Sequence, residues 1–178
     1  MVDRGWVNCG GVAASLLVAA VAIVVACAGS STEVGSPESY ADAVCRVWSN
    51  HAGQIRRLAS GGIDLNEREA SKQYALQMAA LESGLAQDLG GLEPPAEIAA
   101  LHRQIVEAHR NGSEAWDSVA KALEQPANEA STAAIDDAMA AVGEALDSEP
   151  SLPTEYQQAI QSNERCSGLR DTLPELRQ

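Results

Sequence analysis

After residue 39, apolar side chains recur at helical spacing in four long runs, and the glycine and proline breaks fall between the runs rather than inside them. The first, Pro37 to Ser60, places Tyr40, Val44, Val47, Trp48, His51, Ile55 and Leu58 on one face and stops at Gly61-Gly62. The second opens with Asn66-x-x-Glu69, the pattern of a capping box, and carries Tyr74, Met78, Leu81, Leu85 and Leu89 before Gly90-Gly91. The third starts at Pro94-Pro95, with Pro95 suited to a first helical turn. Its stripe runs Ile98, Leu101, Ile105, Ala108, Gly112, Ala115, Val119 and Ala122 up to Pro126, and Asn111-Gly112 marks a kink, a close helix approach or a split. The fourth holds Ile135, Met139, Val142 and Leu146 and stops at Pro150; a shorter piece, Thr154 to Cys166, holds Tyr156 and Ile160. No segment alternates with period two over a useful length. The expected fold is all-α: an antiparallel helical bundle of four long segments plus a short C-terminal helix, in one domain over residues 40–178.

Composition sets the quality of that core. Beyond residue 26, alanine supplies 26 of 62 apolar residues, and Leu, Ile and Val together make up 26 of 152 residues, with no Phe in the chain. So low a content of large aliphatics, with a net charge of -13, borders on the composition of disordered chains. Three observations weigh against disorder. Alanine is the best helix former, the stripes keep phase over three or more turns, and the breaks separate them. The acidic balance, 25 Asp and Glu against 12 Lys and Arg, also excludes a simple nucleic-acid footprint.

The apolar residues ahead of the domain behave differently. From Gly5 to Thr32 there is no charged residue, and Val12 to Ala26 is an almost unbroken run of Val, Ala, Leu and Ile, which reads as an export signal over residues 1–26. It ends in Val24-Val25-Ala26-Cys27, followed by Ala28-Gly29-Ser30-Ser31. This resembles the lipobox of bacterial lipoproteins. The resemblance implies that the Cys27 thiol takes a diacylglyceryl group, that the leader is cut before it, and that Cys27 becomes the acylated N-terminus. One acyl chain holds a protein at a membrane weakly, whereas two or three, such as diacylglycerol with palmitate, anchor it stably. Two other readings stay open: Ala26-Cys27-Ala28 fits ordinary A-x-A cleavage and release, and the run with its flanking small residues approaches a single-pass anchor. Residues 27–39 are small, polar and aperiodic, the composition of a flexible linker of roughly 20 Å reach. High Ala and Arg with only two lysines, Lys72 and Lys121, resemble an actinobacterial, high-GC composition.

Cysteine arithmetic fits export. With Cys9 removed and Cys27 acylated, one pair remains, Cys45 and Cys166, and an even remainder in an exported chain predicts a disulfide. Cys45 lies near the start of the first helix and Cys166 near the end of the last piece. In an up-down-up-down bundle those ends share a pole, provided the fourth and fifth pieces run in roughly one direction.

Chemistry-bearing residues are few. His51, His102 and His109 are the only histidines; His102 and His109 are seven apart, on the side of the third helix that also carries Trp116. A metal or haem site is one reading, but i,i+7 spacing separates the two rings by about 10.5 Å, too far to share an ion, and neither H-E-x-x-H nor E-x-x-H occurs. Histidines packed beside a core are the simpler account, as are Trp48 and Trp116 as core residues. The late acids, among them Asp136, Asp137, Glu144 and Asp147, read as a solvated face. No nucleophile-elbow, phosphate-loop or dinucleotide motif is present, so no catalytic residue, cofactor or resident metal is expected. The expected role is non-catalytic. The chain is expected to be a lipid-anchored protein on the extracytoplasmic face, held to membrane lipid and acting through an envelope protein partner or surface contacts. The alternative is an extracytoplasmic binder of metal, haem or a small apolar molecule through the His102, His109 and Trp116 side.

Overall fold

The structure is a computed structural model that describes residues 35–59 and 61–172; the leader, the lipobox-like Cys27 and most of the linker lie outside the described residues. Among the described residues there are six helices and no strand: α1 Pro37–Ala59, α2 Arg68–Gly90, α3 Ala99–Glu124, α4 Glu129–Asp147, α5 Thr154–Ser162 and α6 Glu164–Thr172. The chain is therefore all-α, as the periodicity predicts.

Local chemistry explains most boundaries and corrects three. The Asn66-x-x-Glu69 pattern does not cap α2, whose N-cap is Glu67 with no side-chain cap bond. Asn66 instead donates its backbone and side-chain N–H to Asp64 Oδ1, and buried Ser71 ties the same loop through both polar groups of the Asp64 backbone. The third helix begins at Ala99, not at the prolines. Residues 96–98 first make a tight turn, with the Ile98 N–H donating to Pro95 O, which drops Ile98 fully into the core. The stretch from Thr154 is two helices rather than one, broken at Asn163, whose backbone is extended (φ -72°, ψ 126°). The box that does form is on α4: the Asn128 side chain accepts from the Ser131 N–H, and Ser131 Oγ accepts from the Asn128 N–H.

Helix α3 runs unbroken through Asn111-Gly112. Gly112 faces Glu82 on α2, but a Cβ there would make only ordinary contact, 3.5 Å from its carboxylate, so the helix approach does not require glycine at this position. Helices α2 and α3 are antiparallel, since Leu89 near the end of α2 meets His102 near the start of α3, while Arg68 at the start of α2 donates to the carbonyls of Ala122 and Gln125 at the end of α3. The Gln125 carbonyl, just past the helix end, gains a donor from this contact, and the Ala122 carbonyl, which already accepts from the Gln125 N–H, gains a second.

At 26 residues and about 39 Å, α3 is long enough to serve two apolar clusters. One gathers Tyr40, Val44 and Val47 of α1, Leu81, Leu85 and Leu89 of α2, Ile98 just ahead of α3, Ile105 and Val106 of α3, and Tyr156 of α5. The other gathers Ala75 and Ala79 of α2, Ala115, Trp116, Val119 and Leu123 of α3, and Ile135, Ala138 and Val142 of α4. Tyr74 and Met78 pack against both. The second cluster is the alanine-rich one, where small side chains replace buried bulk with close helix contact. Helix α4 packs on α3, whereas α5 and α6 pack on α1. The chain after α4 thus crosses to the other flank of the molecule, and the disulfide between Cys45 and Cys166 fastens it there, 121 residues apart in sequence.

Candidate functional site

The three histidines mark where α1, α2 and α3 bring polar groups together, and each ring has its own partner. His102 lies one turn into α3 and is almost wholly buried. Its Nε2 stands 3.0 Å from the Leu89 carbonyl, which can only accept, so Nε2 carries the proton. In that tautomer Nδ1 is an acceptor, and the Tyr40 hydroxyl donates to it at 3.0 Å. Burial pushes the His102 pKa below the usual histidine range, opposed in part by the bond to Leu89, so the neutral ring is the one the fold favours. Tyr40 is also pushed up, to about 12, first by burial and then by the charge of Glu149. Tyr156 continues the cluster: its ring meets Tyr40 edge-on at 5.6 Å and its hydroxyl donates to Glu97. Burial, and then that hydrogen bond, push its pKa to about 12.

Two turns further along α3, His109 Nδ1 stands 2.7 Å from Glu82 Oε2, with both side chains less than 10% exposed (8% and 9%). The Trp48 ring lies 5.8 Å away, edge-on. His109 Nε2 is buried without a hydrogen-bond partner, the single such side-chain atom among the described residues. An imidazole oriented by a carboxylate is the geometry of a general base with its positioning group. Here the pair bridges α2 and α3 inside the helix packing. His51 forms a third, shallower pair across α1 and α2, with Nε2 2.9 Å from Asp88 Oδ2. Gly84 makes room for it, since a Cβ there would come within 2.8 Å of His51 Cε1.

His102, His109 and Trp116 do share one side of α3, as their spacing predicts. They are spread over about 21 Å of its axis and do not converge on one point. Trp116 belongs to the second cluster, packed edge-on against Tyr74 at 5.7 Å. No group of three or more His, Cys, Asp or Glu side chains among the described residues is placed to hold a metal ion. Glu82 is the residue that sequence reading missed. The signal was available, because a glutamate stands on the core face of α2 between Leu81 and Leu85, where only a paired acid is tolerated.

The surface offers shallow grooves. One between α3 and α4 is lined by Asn111, Glu114, Ala115, Ser118, Ala141, Glu144, Ala145 and Ser148. A second, between α2 and α3, is lined by Ser83, Ala86, Gln87, Arg110, Ser113 and Glu114. A third lies across α5 and the start of α1 and α6, with Glu38, Glu155 and Glu164 on its walls. Small, polar and acidic side chains dominate all three, and none is lined by a histidine. No family model matches this chain, and no curated protein and no solved structure matches it.

Proposed function

We propose that this chain is an extracytoplasmic lipoprotein, acylated at Cys27, whose helical domain acts by contact with an envelope partner or surface rather than by catalysis. The observation that carries the reading is the Cys45–Cys166 disulfide, because such bonds persist in oxidising compartments outside the cytoplasm. On this reading residues 40–178 form one domain, an antiparallel bundle of α1–α4 with α5–α6 strapped across α1. The engagement of both His102 nitrogens and of the Glu82–His109 pair in internal bonds supports a structural role for these groups.

Charge supports the geometry of display. Helix α4 contains no basic residue and exposes Asp136, Asp137, Glu144 and Asp147. An acidic domain is repelled by an anionic lipid surface, so the anchor holds the chain at the membrane while its charge keeps the domain off the head groups. The test is metabolic labelling with palmitate. Label in the wild-type chain that is lost in Cys27→Ala is the expected result; label unaffected by that change overturns the lipoprotein reading.

A further inference from the structure

We propose that the Cys45–Cys166 disulfide is a thiol-exchange latch that holds α6 against α1, so that reduction releases α6 while the rest of the domain stays folded. The two halves of the strap are held differently. Helix α5 is anchored by burial: Tyr156 is fully buried, meets Tyr40 and donates to Glu97. Helix α6 packs on α1 and α5, is polar along its sequence ERCSGLRDT, and buries no side chain over residues 164–168. Its ion pair to α1, Arg165 with Asp42 at 3.3 Å, joins two side chains that are about half exposed (54% and 41%), and such pairs contribute little in water. Between the two helices the backbone is extended at Asn163, whose side chain accepts from the Arg165 N–H at 3.0 Å to start α6 and also bonds Asp42, so this residue is the point about which a released α6 would turn.

The two cysteines also differ in exposure. Cys45 is fully buried, on a face of α1 that it shares with buried Ala41, whereas Cys166 is only half-buried. A dithiol reductant therefore attacks at Cys166 Sγ. A bond forms from the reductant sulfur to Cys166, the Cys45–Cys166 bond breaks, and its electron pair leaves on Cys45 Sγ, which takes up a proton. The second thiol of the reductant then displaces Cys166 as a thiol and closes the reductant's own disulfide. Two electrons and two protons pass to the protein, and the dithiol is oxidised. With the bond gone, ordering residues 164–168 costs conformational entropy that the half-exposed Arg165–Asp42 pair offsets little. The Cys45 thiol is then uncovered, in position to attack a disulfide of another molecule: a bond forms from Cys45 Sγ to one of its sulfurs, the disulfide breaks, and the other sulfur leaves as a thiol.

The latch does not depend on the lipid anchor, so the experiment uses the purified full-length chain without membranes. Amide hydrogen exchange is followed by mass spectrometry with and without dithiothreitol, and in Cys166→Ser. The expected result is loss of protection confined to residues 164–172, with α1–α4 and the Tyr156 region of α5 still protected. Cys45 is also expected to become reactive to N-ethylmaleimide under native conditions. Protection of α6 unchanged after reduction overturns the proposal, because α6 is then held by its own packing. Protection lost across α1–α4 overturns it equally, since the bond would then be a staple for the whole domain. A Cys45 that stays unreactive in the reduced protein has the same consequence.

Discussion

Replacing Tyr40 by Phe isolates one hydrogen bond in the most buried polar cluster of the protein. Tyr40 is 1% exposed and His102 3%, so neither group has water to fall back on. The ring contacts of Tyr40 with His102 at 5.7 Å and with Tyr156 at 5.6 Å are kept by phenylalanine, and so is most of the buried area. What is lost is the O–H donor to His102 Nδ1, while Nε2 remains committed to the Leu89 carbonyl. The acceptor left behind is buried and unsatisfied, and the expected cost is about 1–3 kcal/mol. For a domain of this size that is a fall in Tm of roughly 3–10 °C. Urea denaturation should show a lower midpoint with an unchanged slope, since the surface exposed on unfolding hardly changes. Nitrogen NMR should still find the proton of His102 on Nε2. In a double-mutant cycle with His102→Leu, the second substitution should cost less in the Tyr40→Phe background, because it removes the orphaned acceptor. A Tyr40→Phe protein within about 0.5 kcal/mol of wild type, with additive cycles, would refute the assignment of this bond as a stabilising contact.

The pH profile of stability should fall on both sides for opposite reasons. His102 is depressed in the fold, so its contribution is full above the ordinary histidine value of 6.5 and is lost as pH drops below it. Tyr40 and Tyr156 are raised from 10.0 to about 12, so their contribution is full below 10 and is lost as pH rises from 10 to 12. Denaturation midpoints against pH, with tyrosinate absorbance on the alkaline arm, measure both; a tyrosine set titrating wholly near 10 would contradict the alkaline half. Asn128→Ala removes the cap of α4 and should cost about 1 kcal/mol, read as a lower urea midpoint; no loss would mean that the box is not made. Leu85→Ala, at 1% exposure, should cost about 2–5 kcal/mol by thermal or urea unfolding, whereas Leu146→Ala, at 58%, should lie within about 0.5 kcal/mol of wild type. Equal effects at the two leucines would contradict the placement of the first cluster.

What the sequence disclosed follows from how local each feature is. Helix class and the four long elements were legible because a 3.6-residue stripe and a Gly-Gly or Pro stop are properties of a single segment. The disulfide was legible by elimination among four cysteines. The start of α3 was misread because Pro94-Pro95 permits a first turn but does not require one, and burial of Ile98 settled the matter through contacts made elsewhere. Asn163 carried a local signal that was easy to pass over: Asn is tolerated inside helices but is also a preferred N-cap, and here its side chain accepts from the Arg165 N–H to start α6. The polar cluster was half legible. His102 and His109 were recognised as sharing a side of α3, but their partners Tyr40 and Glu82 come from 62 and 27 residues away, and no spacing rule within one helix names them.

The 121-residue closure between Cys45 and Cys166 changes what proteolysis can do to this molecule. The connection from α1 to α2 exposes nearly every residue from Gly61 to Glu67, the kind of segment that proteases cut first. A single nick there divides the chain but releases nothing, because α1 stays bonded to α6 and, through it, to everything downstream. Any N-terminal attachment would survive the same cut. The nicked protein would run as one species until its disulfide was reduced, and only then separate into a short N-terminal and a long C-terminal fragment.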